Sequence, residues 1–201
     1  MGFIFSFGLL LIAMSIHEFA HALVAYFCGD DTAKSLGRLS INPFTHIDLI
    51  GTVIMPLFLF IATQGRFIFG SAKPVPINYL LLRNPKRDII WIGIAGPFVN
   101  ILTAYLLGLI LHFISLNSIL GIIVRNLAVI NLVLGIFNLI PIPPLDGSRI
   151  VMGILPSSLS KIYVSFEPYG IIIIMFLLFL GLFDKVVFPL VKIAMTLFGL
   201  F

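Results

Sequence analysis

Apolar residues in this chain come in long blocks, without the alternating or 3.6-residue stripes of a water-soluble fold. Residues 2–28, 89–114 and 119–140 are each almost continuously apolar over the roughly 20 residues that a helix needs to cross a bilayer. Residues 169–201 form a further block, broken by Asp184 and Lys185, and predict two more crossings at 169–183 and 186–201. Residues 49–63 are apolar but short, with Pro56 in the middle. The stretches 35–41 and 67–78 contain Gly37, Gly70, Pro74 and Pro76 and predict edge strand or extended chain, because proline cannot donate to a ladder. The expected fold is an all-α integral membrane protein, a bundle of about five to six membrane segments with short extended or β segments.

Composition agrees with the pattern. Of 201 residues 60% are hydrophobic and only 10% charged, and the mean hydropathy of +1.19 lies outside the range of soluble domains. No soluble stretch is long enough for a second core, so 1–201 reads as a single membrane-embedded domain in a multi-pass protein of a bacterial or archaeal cell membrane. The net charge of +4 comes from residues spread through the connections, which argues for loop orientation and against a nucleic-acid partner. The lone cysteine, Cys28, excludes an internal disulfide framework and a cysteine-based zinc cluster. The first block lacks a basic n-region and a small-residue cleavage site and is expected to stay as a signal-anchor helix.

Within that first block stands His17-Glu18-Phe19-Ala20-His21. Two imidazoles four residues apart share one helix face and can share a metal, with the adjacent glutamate in reach of water. In a soluble chain the same letters can be a solvated helix face. Here each ionisable group inside a spanning helix costs about 2.5–3.5 kcal/mol, and a divalent cation compensates all three at once.

A catalytic zinc site takes three protein ligands and keeps a fourth position open. Candidates for the third are His46, Asp48, His112, Asp146, Glu167 and Asp184. His46 and Asp48 also read as turn and cap residues, and Glu167 and Asp184 flank apolar segments as helix-end charges do. Asp146 stands out by its setting. Pro141 ends a helix, Pro143 and Pro144 hold an extended chain, and Gly147 permits a turn. Neutral His17 and His21 with anionic Asp146 would leave Zn²⁺ one positive charge, which Glu18 balances.

For the His pair to meet Asp146, an even number of crossings must separate them. Blocks 89–114 and 119–140 supply two, so 49–63 is expected to be re-entrant or interfacial. The same assignment gathers Lys34, Arg38, Arg66, Lys73, Arg83, Lys86, Arg87, Arg149 and Lys161 on one side, opposite the uncharged turn 115–118. The positive-inside rule makes that side cytoplasmic, and the site is expected to open there.

His17-Glu18-Phe19-Ala20-His21, Ala95-Gly96-Pro97-Phe98-Val99-Asn100 and the run from Asn138 to Gly147, in that order, resemble the site-2 protease family of intramembrane zinc metalloproteases. The resemblance is to its compact subgroup, without a PDZ-like or nucleotide-sensing module. It implies one zinc ion per chain held by His17, His21 and Asp146, with Glu18 as catalytic acid and base. It also implies cleavage of a peptide bond in or near a transmembrane helix of a protein substrate within membrane lipid, and it places Asn138 on the substrate backbone or the oxyanion. The extended stretches 35–41 and 67–78 are expected to take up unwound substrate as an added strand. The alternative class is a zinc or other cation transporter, which calls for polar residues along several helices or an inverted repeat; an inactive scaffold is a third.

Overall fold

The computed structural model describes residues 3–62 and 73–200; residue 63 and the 67–72 part of the expected extended stretch lie outside them. The first apolar block is one helix, α1 (Phe3–Phe27), followed by a single turn, α2 (Thr32–Ser35). A 3₁₀ turn (Pro43–His46) leads to a π-helical turn (Leu49–Ile54) and α3 (Met55–Ala62). Two long helices follow, α4 (Pro85–Leu111) and α5 (Ile119–Asn138), then the short α6 (Asp146–Ile154). The chain closes with α7 (Ser157–Val164), α8 (Gly170–Phe179) and α9 (Phe188–Leu197).

Among the described residues four helical stretches are long and apolar enough to cross a membrane: Ile4–Phe27, Pro85–Leu111, Ile119–Asn138 and Ser157–Phe179. The described residues are thus those of a helical membrane protein, with four candidate spans in place of the expected five to six. The difference lies at the C-terminal end. α8 and α9 have ten residues each, about 15 Å and half a bilayer core. The fourth span instead extends upstream from α8 through Glu167–Tyr169 into α7.

Among the described residues there is no strand. The turn at Thr32–Ser35 consumes the start of 35–41. Gly37 follows it at φ +68, the left-handed conformation that closes a helix, and Arg38 N–H donates to the Ala33 carbonyl at 2.7 Å. Residues 73–78 run without helix or ladder, in line with extended chain.

α4 is the central helix, packed against α1, α5 and α6. The largest core lies where α4 and α5 meet the C-terminal helices, around Ala104, Ala128, Leu132, Ile174, Val187 and Val191. Outward faces stay apolar, with Phe98, Leu106, Ile110, Ile172 and Phe176 exposed, as a helix surrounded by hydrocarbon requires. The polar residues are inside: His17, His21, Asp88, Asn100, Asn131 and Asp146 are all buried.

Candidate metal centre

α1 places His17 and His21 one turn apart on the face turned to α4. Asp146 is the first residue of α6, where the orphan N–H groups and the helix dipole favour a carboxylate. Gly147, expected to permit a turn, lies inside this first helical turn, and a Cβ on it would strike the Leu139 and Ile140 carbonyls. The glycine serves close approach of α6 to the end of α5.

Three donor atoms converge in this corner. His17 Nε2 lies 2.9 Å and His21 Nε2 3.1 Å from Asp146 Oδ2, and the two nitrogens are 3.0 Å apart. His21 Nδ1 sits 2.7 Å from the Ile92 carbonyl. A carbonyl only accepts, so Nδ1 carries the hydrogen and Nε2 presents its lone pair inward. A lone pair facing a carboxylate oxygen and a second imidazole repels both unless a cation stands among them. Ligands about 2.0–2.1 Å from a tetrahedral zinc ion lie about 3.3 Å apart, close to the spacing seen. The residues fit the metal.

The surrounding groups hold the donors in place. Arg149 Nη1 donates to Asp146 Oδ1 at 3.0 Å, leaving Oδ2 for the cluster. Gly96 of α4 abuts both rings; a Cβ there would overlap His21 Nε2 and come within 2.6 Å of His17 Nε2.

The cluster opens into a cavity of about 310 Å³ lined also by Glu18, Val75, Phe137, Asn138 and Ile174. Glu18 is half-buried, and its Oε2 accepts a hydrogen bond from Val75 N–H at 2.9 Å. Asn138 faces the same cavity while its Nδ2 donates to the Leu134 carbonyl of its own helix.

The other candidate third ligands lie elsewhere. His46 is buried and donates from Nε2 to the Ser40 carbonyl at 2.8 Å. Asp48 caps the helical turn after it, with Oδ2 accepting from Gly51 N–H at 2.7 Å. His112 sits at the far end of α4 and contacts the Gly108 carbonyl through Nδ1. Glu167 and Asp184 are exposed. The expectation of strand addition at 67–78 does not suit the described half. Lys73, Val75 and Asn78 spend their N–H groups on His46, Glu18 and Asp30, and Pro74 and Pro76 have none. Three further residues shape the site: Gly96 stands in sequence within the Ala95–Asn100 motif, Arg149 lies three residues, one helical turn, after Asp146, and Val75 carries no local signal.

The chain has relatives among known proteins. The sequence model of Peptidase family M50 matches residues 115–181. A Bacillus subtilis protein named "Putative zinc metalloprotease YwhC" is 35% identical over 192 residues, 91% of this chain and 84% of its own. "Putative zinc metalloprotease Rip2" of Mycobacterium tuberculosis is 32% identical over 139 residues, 68% of this chain and 52% of that protein. "Zinc metalloprotease MJ0392" of Methanocaldococcus jannaschii is 41% identical over 71 residues, 35% of this chain and 21% of that one. No solved structure matches the chain. With YwhC matched along most of both sequences, the chain belongs to peptidase family M50, the site-2 proteases, and is a zinc metalloprotease.

Proposed function

We propose that this enzyme is an intramembrane endopeptidase in which His17, His21 and Asp146 hold one zinc ion and Glu18 is the catalytic base and acid. The observation that carries the reading is the convergence of three donor atoms within 3.1 Å of one another beside a glutamate on a cavity wall, between helices apolar enough to span a bilayer. Zinc bound there would polarise the scissile carbonyl and acidify the attacking water. Glu18 takes the proton of that water and hands it to the departing amine, a role in which a positioned carboxylate contributes about 10²–10⁴ in rate. Arg149 keeps the second oxygen of Asp146 occupied, and Asn138, which lines the same cavity, binds the substrate backbone or the oxyanion.

The substrate is a transmembrane protein segment, since the cavity lies among the spanning helices and its walls are mostly apolar. Residues 1–201 act as one membrane-embedded domain in lipid, crossing several times, with 49–62 re-entrant; 14 residues of helix are too short to cross. Loop charge directs the opening to the cytoplasm. The transporter reading gains no support from the comparisons. Among the described residues His17, His21 and Asp146 are the one group placed to hold a metal ion, where a transporter calls for successive sites across the bilayer.

The test is a pair of variants assayed on a reporter transmembrane helix in membranes. Glu18→Gln retains zinc and loses cleavage; His21→Ala or Asp146→Ala loses zinc as well. Full cleavage by a zinc-loaded Glu18→Gln protein would falsify the role of Glu18.

A further inference from the structure

A second cavity, of about 430 Å³, lies between α5 and α9, far from the metal cluster. Ile122, Val129 and Phe188 form its apolar walls, Leu116 of the α4–α5 turn reaches it, and Arg125 and Lys192 both line it. No acidic side chain lines it, and among the described residues neither cation has an ion pair or a side-chain hydrogen bond. Arg125 is six residues inside a helix read as spanning, about 9 Å along the axis from Ile119. Lys192 sits midway along α9.

An unpaired cation at that depth is costly and marks a function or a partner. Both side chains are exposed on the outer surface, beside Ile119, Leu120, Leu190 and Ile193, which are exposed and apolar. The missing anion must reach them from the lipid side and bring apolar matter to cover Ile122, Val129 and Phe188. A free anion supplies only the first of these. A guanidinium and an ammonium facing one space suit a phosphodiester, which the fork of Arg binds through two oxygens.

We propose that this cavity binds one anionic phospholipid, its phosphodiester held by Arg125 and Lys192 and its acyl chain lying against Ile122, Val129 and Phe188. The site is distinct from the catalytic cavity, because Asn138, which lines that one, stands about 20 Å further along α5.

The test uses the full chain in a neutral detergent, titrated with phosphatidylglycerol or phosphatidylcholine and read by native mass spectrometry. Phosphatidylglycerol is retained in preference to phosphatidylcholine. Arg125→Gln and Lys192→Gln each weaken that retention about fivefold, the effect of one basic residue near an anionic lipid. Arg125→Lys keeps it, and Lys86→Gln, outside this cavity, leaves it unchanged. Zinc content, which reports the distant metal centre, stays at the wild-type level in every variant and serves as the folding control. Equal retention of the two lipids by the wild type, which needs no variant to fold, overturns the proposal. So does wild-type retention of phosphatidylglycerol by zinc-loaded Gln variants, and so does its displacement by excess inorganic phosphate, which would mark a site for the free anion.

Discussion

The chemistry depends on side chains whose own positions are set by neighbours that carry no chemistry. Asp146 offers Oδ2 to the cluster because Arg149 holds Oδ1 at 3.0 Å. Arg149→Ala should lower zinc affinity about 10–100-fold, as loss of such supporting contacts does elsewhere. Arg149→Lys, which keeps one donor, should recover part of it, as read by competition with a chelator of known affinity. Equal affinity in Arg149→Ala and wild type would show that the bond merely decorates the site. Gly96 sets the other boundary. Since a Cβ there would overlap both imidazoles, Gly96→Ala should lose zinc while keeping helical content by circular dichroism. Normal metal content in that variant would mean that α4 can draw back from α1.

Among the elements, the strap at residues 73–78 does more than its irregular sequence suggests. It is tied to His46, Glu18 and Asp30 by backbone N–H groups at 2.8, 2.9 and 2.7 Å. Asp30 is fully buried and holds both this strap and the Thr32 turn, where Oδ1 accepts from Thr32 N–H at 3.0 Å. Val75→Pro removes the donor to Glu18. It should keep zinc and cut cleavage about 10- to 150-fold, since a hydrogen bond to a charged group contributes about 1.5–3 kcal/mol. Val75→Ala, which keeps the N–H, should cleave like wild type. Unchanged cleavage in Val75→Pro would leave the strap a covering segment only. α6 matters equally. Its first residue is Asp146, and a Cβ on Gly93 would lie 2.9 Å from the Asp146 carbonyl, so α4 sets how close that helix can come.

At the scale of the whole molecule, the burial pattern is that of a protein in hydrocarbon, with apolar residues outside and polar ones within. α4 and α5 separate the His pair from Asp146, and the fold returns the chain to the same corner. The expected orientation can be checked by labelling. With Cys28 replaced by Ser, Lys34→Cys should react with an impermeant maleimide only after the cells are opened. Asn117→Cys, in the uncharged turn between α4 and α5, should react in intact cells. The reverse pattern would put the catalytic cavity on the outer side.

The sequence alone determined the membrane class, the helical blocks, the His pair, the glutamate and the grounds for singling out Asp146. Each rests on residue type and local spacing, which survive without a fold. Helical spacing puts His17 and His21 on one face, and runs of apolar residues define spans by length. Only the tertiary structure decided the rest. Whether Gly96 packs a helix or makes room for two imidazoles depends on what α1 brings to it. Whether Arg149 orients a loop or locks a carboxylate depends on where α6 begins, and which of six candidates completes the donor set depends on contacts 125–129 residues apart in sequence. Spacing carries no information across that distance, because the path between is set by how α4 packs on its neighbours and not by any repeat along the chain.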